Sequence, residues 1–536
     1  MISDLVELVR DRRSNAAMLV ELRGGRERRL SFADLDWRSD VLARGLASFG
    51  DLRGTTVPIA LQSPLDFATA FFGVAKAGAV PVPAPSHAAV HPGHRRRLEQ
   101  IIDASVDGVA LVDPSVFAVF SGHARIRFAT FPALEEKTAE KYAGAWPAVS
   151  DVAYYQYSSG SLGAPHPIVL SQDNVLAQLA QAAEAFNETS SSVSVNWVPL
   201  FHDMGLVTSL LRPLWSGYTS VILDPFEFVR DPTVWPRELT RWRATHTSAP
   251  DFGFALCAAK TQSLEGLDLS ALAVARSAGE MVRPSTLESF SERFHAVGFR
   301  SSSFAPSFGL AEATLTATTT AVADEPRVVA FSAAELRHDR AIPARDGVEQ
   351  VRLVSSGAPL RGTRVEIVDS SGHVLRAGKI GEIRITGRQV AGGVVDTGDI
   401  GFILKGELFP LGRARERFQI AGVNFYSGEI ERAITDAVPQ LRPGRAAVFV
   451  AFAEVTGSKL VVQCERRADA ELEAPAEDTV RRRIRSLLAE QFGLRVHVID
   501  VVPPRTLPVT TSGKLRRGEC RRRFELSRAT QGDPDR

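Results

Sequence analysis

Cysteine is scarce in this chain: three residues in 536, Cys257, Cys464 and Cys520, are widely separated and form no CxxC pair. That argues against a disulfide framework and against a thiolate zinc site. An excess of one charge is also missing, since 63 basic and 62 acidic side chains leave a formal charge of +1. No global field therefore exists to draw nucleic acid or an anionic membrane. Only eight of the basic residues are lysines, which makes each one worth inspecting. No apolar run is long enough to span a bilayer, because the stretch from Phe71 to Pro85 is short and is broken by Lys76 and three prolines. The opening MISDLVELVRDRR lacks a basic segment followed by an apolar core. Cytoplasm is the expected compartment, with no integral membrane segment.

What is present has the balance of a globular protein, 44% apolar and 23% charged. The length exceeds what one hydrophobic core accommodates, so at least two domains are expected. A hairpin is predicted over 19–30 with Gly24-Gly25 at its turn, and Ser31 with Asp34 can begin a helix that Gly50 stops. TVPIAL at 56–61, a helix near 67–76, and strands at 79–83, 108–112 and 219–223 alternate as in a layered α/β body. After about residue 350, short strands at 364–369 and 381–386 read as a β-subdomain. From Ala446 a second alternating unit follows: AVFVAF, KLVVQCE, a helix over 477–493, then VHVIDVV. The fold class is therefore α/β, with a large N-terminal domain over 1–413 and a small α+β domain over 414–536.

Tyr154-Tyr-Gln-Tyr-Ser-Ser-Gly-Ser-Leu-Gly-Ala-Pro-His-Pro packs serines and glycines where a chain can turn consecutive N–H groups and hydroxyls toward phosphate oxygens. Alone it would more often be an ordinary turn, and it lacks the Gly-Lys-Ser/Thr ending of a Walker loop. With the segment Ser171 to Asn174 it resembles the adenylate-forming superfamily, and within it the fatty acyl-AMP ligases, whose loop reads YSSGSTGxPKGV. Tyr157, Ser158, Ser159, Gly160, Ser161 and Gly163 agree, whereas Leu162, His166 and Pro167 replace Thr, Lys and Gly. Leu162 offers no hydroxyl, His166 no permanent charge and Pro167 no N–H. A weaker hold on the outer phosphates of ATP is expected.

The resemblance extends to further blocks. PLFHDMGL places His202 beside the acyl pocket, although an isolated histidine here would be a packing residue at a helix start. SAPDFGFALC is similar to the ligases' APNFAYxLC, with Cys257 read as a buried packing residue. AGEMVR implies that Gly279 and Glu280 lie on the adenine side. SFGLAEATL implies adenine stacking by Phe308, with Gly309 beside it, and a Mg²⁺ carboxylate at Glu312. TGDIG and GELFPLGR imply that Asp399 and Arg413 hold the ribose. Between the strand at 381–386 and Asp399 the chain is shorter than in relatives, which is expected either to leave the nucleotide edge open or to require a covering partner. Asp396 stands where they carry arginine.

RARER at 413–417 resembles the family hinge, with the carboxylate at Glu416, and implies that the C-terminal domain is mobile. RTLPVTTSGKLRR then places Lys514 where the family lysine bridges the substrate carboxylate and the α-phosphate. The implied activity is ATP- and Mg²⁺-dependent conversion of a carboxylic acid, expected to be a fatty acid, to acyl-AMP. Transfer to the phosphopantetheine thiol of an acyl carrier protein would follow. The alternatives are an acyl-CoA synthetase and a degenerate adenylate-binding protein with little catalysis.

Overall fold

A computed structural model describes residues 2–90, 92–105, 108–120, 126–131, 148–157, 166–420, 423–453, 457–468, 474–510 and 515–531. Its largest sheet has nine strands. From one edge to the other these are Ala358–Pro359, Thr318–Thr319, Phe304–Phe308, Val274–Ser277, His246–Ala249, Val193–Asn196, Thr219–Leu223, Met18–Arg23 and Arg26–Ser31. The six strands from Phe304–Phe308 to Met18–Arg23 run parallel, and antiparallel strands flank them on both sides. The expected hairpin forms with both glycines of its turn at positive φ. Ser31 caps the helix Phe32–Ala47 by accepting from the Asp34 amide.

A second parallel sheet orders Val80–Pro83, Thr56–Ala60, Gly108–Val112 and Ile126–Ala129. Pro81 and Pro83 fall on its edge strand, where a missing N–H breaks the fewest ladder bonds. Lys76, which interrupts the apolar run in sequence, is only 2% exposed. Its Nζ donates to Asp36 Oδ1 at 2.5 Å, to the Asp36 carbonyl at 2.7 Å, and pairs with Asp40 at 2.8 Å. A charge that deep is tolerated because each of its protons has a partner, and it ties the helix Pro64–Lys76 to Phe32–Ala47.

The β-subdomain is an antiparallel meander of Arg364–Val368, Gly381–Thr386, Val394–Leu404 and Glu407–Arg413. A 3₁₀ turn, Ala414–Glu416, leads into the hairpin Arg417–Ile420 and Val423–Tyr426 and the helix Ser427–Ala437. The strands Leu441–Ala453, Gly457–Arg466 and Val498–Val502 form the last sheet, joined by the helices Ala474–Phe492 and Arg517–Gln531. This small α+β body has an apolar cluster of its own, centred on Ile430, Ile434, Val448, Val462, Ile484 and Leu488. No helix among the described residues is long and apolar enough to cross a membrane.

Candidate functional site

The strand Phe304–Phe308 leaves the central sheet at Gly309, where the backbone doubles back on itself. A Cβ there would lie 1.7 Å from the Leu315 carbonyl oxygen, so only glycine fits. We expect Gly309→Ala to lower stability by about 1–3 kcal/mol, since the added methyl meets backbone that cannot give way; chemical denaturation measures this. The turn continues through the 3₁₀ segment Ala311–Ala313 to Thr314, held at φ +60. The Thr314 hydroxyl donates to the Gln389 carbonyl at 2.8 Å, which fixes this uncommon conformation. Phe308, in register with Thr318, is half-buried and leaves part of its ring available.

Glu312 rides on that turn, mostly buried. Burial raises its pKa and the nearby charge of Asp203 adds to the effect, while its own backbone N–H and Arg413 act the other way. Arg413 in turn lies opposite Asp399 on the neighbouring strand, with Nε 2.9 Å from Asp399 Oδ1 and Nη1 donating to the Thr397 carbonyl at 3.1 Å. Four predicted site segments thus converge: His202-Asp203, Glu312, Asp399 and Arg413.

His202 stands at the start of the short helix Asp203–Leu206, its ring 4.5 Å from that of Phe201. It therefore occupies the helix-start position, next in sequence to Asp203. Gly205 lets this helix press against Pro199, whose carbonyl oxygen would be 2.0 Å from any added Cβ. Gly279 has φ +79 and packs on the Met204 methyl group. Glu280 turns one carboxylate oxygen to the Phe252 amide at 2.6 Å, and so caps the helix Asp251–Lys260. Cys257 within that helix is fully buried, and burial pushes its thiol up to about 12, which suits packing and not nucleophilic chemistry.

The strands Val152–Tyr157 and Pro167–Ser171 pair antiparallel, bringing Tyr157 opposite Pro167. Of the residues between them, 158–165, which include Ser158, Ser159, Gly160, Ser161 and Gly163, lie outside the described residues, as does Lys514. One cation lies near the flanks of both segments. Arg97 lies 6.0 Å over the Tyr157 ring and within the electrostatic reach of Arg516; burial first, then Arg516, lowers its pKa to about 10.

Ser171 and Asn174 form a reciprocal cap on the helix Gln172–Ala185. The Asn174 amide also donates to the carbonyls of Arg388 at 2.7 Å and Val390 at 3.1 Å. The shortened connection is therefore held on two sides, since the Ala391 amide donates to the Glu312 carbonyl at 2.8 Å. Asp396 pairs with Arg384 at 2.6 Å, which balances its charge locally.

Three residues here escaped the sequence reading: Arg97, Asp203 as an electrostatic centre, and Arg276, which is buried in the central sheet. Arg97 sits in a helix with no motif. Arg276 carried a signal, an arginine within the apolar strand VARS, that spacing alone could not interpret. Among the described residues no group of three or more His, Cys, Asp or Glu side chains could hold a metal. A single carboxylate such as Glu312 nevertheless fits Mg²⁺, which commonly takes one or two protein ligands and completes its shell with phosphate and water.

The arrangement can be set beside known proteins. A medium-chain-fatty-acid–[acyl-carrier-protein] ligase of Moorena producens is 29% identical, over 92% of this chain and 90% of its own length. A 4-hydroxyphenylalkanoate adenylyltransferase of Mycobacterium marinum is 30% identical, over 92% of this chain and 86% of its own. A solved structure from work on fatty acyl-adenylate ligases of E. coli and L. pneumophila superposes with a TM-score of 0.91 at 25% identity, covering 99% of both chains. Because residues 7–395, ending at the start of the strand that carries Asp399, match the AMP-binding enzyme family, the chain belongs to that family.

Proposed function

We propose that the protein is an acyl-AMP ligase that activates a fatty acid and delivers it to a carrier protein. The observation that carries this reading is the convergence of Glu312 and Asp203, on loops of the central sheet, with Asp399 and Arg413 of the β-subdomain. A carboxylate oxygen of the acid attacks the α-phosphorus of ATP, the bond to the β-phosphate oxygen breaks, and pyrophosphate leaves with its electron pair. A phosphopantetheine thiol then attacks the acyl carbon, giving a thioester and AMP.

In this scheme Asp399 and Arg413 orient the ribose, Phe308 stacks on adenine, and Gly279 and Gly309 let the backbone approach. Ser158, Ser159, Gly160, Ser161 and Gly163 supply phosphate donors, and Lys514 and His202 address the reacting carboxylate. Mg²⁺, when bound at Glu312, offsets the charge of the phosphates. Positioning and electrostatics carry the reaction, with no protein nucleophile. Carrier-protein transfer is supported by the Moorena relative, an acyl-carrier-protein ligase by name. Cytoplasm is the proposed compartment, and the C-terminal domain over 414–536 the proposed moving part.

The test is incubation with Mg-ATP, a panel of acids and both thiol acceptors, with products read by mass spectrometry. Acid-dependent pyrophosphate release and acylated carrier protein are expected. Acyl-CoA as the main product would reassign the acceptor. Nucleotide binding without single-turnover adenylate would instead mark a degenerate relative.

A further inference from the structure

The charge of Asp203 reaches Glu312, Tyr154 and Arg276, and the scheme above gives the last two nothing to do. Arg276 lies on the strand Val274–Ser277, between His246–Ala249 and Phe304–Phe308, and is 1% exposed. Its Nη2 donates to Thr316 Oγ1 at 3.1 Å, whereas Nε and Nη1 have no partner among the described residues. Burial, then Arg212, lowers its pKa to about 9 against the pull of Asp203, so it remains a cation at neutral pH. Arg212 already takes the buried Glu188 as its counterion. The Tyr154 hydroxyl, also fully buried, likewise lacks a partner.

The position of this guanidinium is well defined. Gln178, itself buried, accepts from the Thr316 amide and donates to the Thr316 carbonyl at 3.1 Å, fixing the residue on which Arg276 rests. Thr316 follows Glu312 by four residues, and the strand carrying Arg276 runs directly into Gly279-Glu280. The side chain therefore lies between two segments that frame the convergent site. A desolvated cation with unfilled donors is costly, and an alkyl chain beside it would supply neither charge nor acceptor. A carboxylate matches the planar fork of the guanidinium and restores neutrality.

We infer that Arg276 is a specificity-determining residue that selects acids whose chain carries a second oxygen acceptor, best a second carboxylate. The inference rests on the acyl-AMP reading. An alkyl-tailed acid leaves Arg276 desolvated and unpaired, whereas an oxygen-bearing one fills its free donors.

The experiment compares kcat/KM for pyrophosphate release between monocarboxylic acids and dicarboxylic, oxo or hydroxy acids of matched length, in the wild type and in Arg276→Met. The wild type should favour an oxygen-bearing acid by at least about 100-fold, short of the 10⁴–10⁵ that a site built to hydrogen-bond its substrate can reach. In Arg276→Met that ratio should fall toward one, mainly through KM for the acid. Should Arg276→Met melt before assay temperature, Arg276→Lys, which keeps the charge but not the fork, should cut the ratio about tenfold.

Preference for plain alkanoates, or an oxygen preference unchanged in the variants, overturns the assignment and means that water satisfies the guanidinium; the acyl-AMP reading then stands. Pyrophosphate release with no acid at all overturns that reading, and this inference with it.

Discussion

Lys514→Ala should reduce single-turnover acyl-AMP formation by about 100-fold or more, the effect expected when one preorganised charge is withdrawn from a reaction that joins two anions. The carboxylate and the α-phosphate repel each other as they approach, and a cation between them lowers that repulsion most at the transition state. The chain is sparing with lysine, eight residues in all, and this one follows Ser512-Gly513 in the segment whose far flank, Arg516, comes within reach of Arg97 beside Tyr157. Rapid-quench measurement of adenylate at saturating ATP and acid reads the effect directly, and unchanged single-turnover formation would remove Lys514 from the proposed chemistry. His166→Lys should act in the opposite direction, because His166 is exposed at the mouth of the hairpin and a permanent charge there strengthens the hold on outer phosphates. Its expected signature is a lower KM for ATP.

Elements marked by strong local chemistry were legible in the sequence. The hairpin with Gly24-Gly25, the Ser31 cap, the strands at 108–112 and 219–223, and the order of the C-terminal sheet elements all appear at or within a few residues of their expected positions. Boundaries shifted where a cap lay outside the apolar pattern. The helix read from 67 begins at Pro64 because Ser63 caps it, and proline suits a first helical position.

Sheet order was illegible because parallel neighbours such as Met18–Arg23 and Thr219–Leu223, far apart in sequence, carry no local record of each other. The same limit applied to the site. Glu312, Asp399 and Arg413 stand in motifs and could be named, but Asp203 acquires its role only through the fold, and the donors of Arg276 are unfilled only because the sheet buries them. The shortened segment before Asp399 is a further case. Its length predicted an open edge or a covering partner; the structure ties its start to the Asn174 side chain and the Glu312 carbonyl and leaves Gly392, Gly393 and Val394 exposed. Such contacts join residues more than 75 positions apart, beyond the reach of any motif.

Arg517→Met should unlock the C-terminal domain and slow adenylation together. Arg517 opens the helix Arg517–Gln531, three residues beyond Lys514, and its guanidinium grips Glu431 through two nitrogens at 2.6 and 2.5 Å. Its third nitrogen donates to Glu416 at 2.8 Å, on the turn proposed as the hinge. Glu431 also accepts the Val448 amide at 2.9 Å. One side chain thus links the lysine segment to the hinge, to the helix Ser427–Ala437 and to the last sheet, and the two carboxylates hold its pKa above the usual arginine value. Removing it strands a buried carboxylate at a cost of about 3 kcal/mol, which denaturation should report.

Stability and positioning separate in Glu416→Gln, where the grip on Glu431 survives and only the tie to the hinge is weakened. There the denaturation midpoint should move little, while single-turnover adenylation falls about tenfold, since an ångström of displacement at the reacting groups is worth that much or more. Thioester formation from supplied acyl-AMP should fall less, because Lys514 is needed to make the adenylate and not to consume it. If both half-reactions fall equally in Glu416→Gln, the contact is a general support of the fold; if neither moves, the lysine segment takes its position from elsewhere.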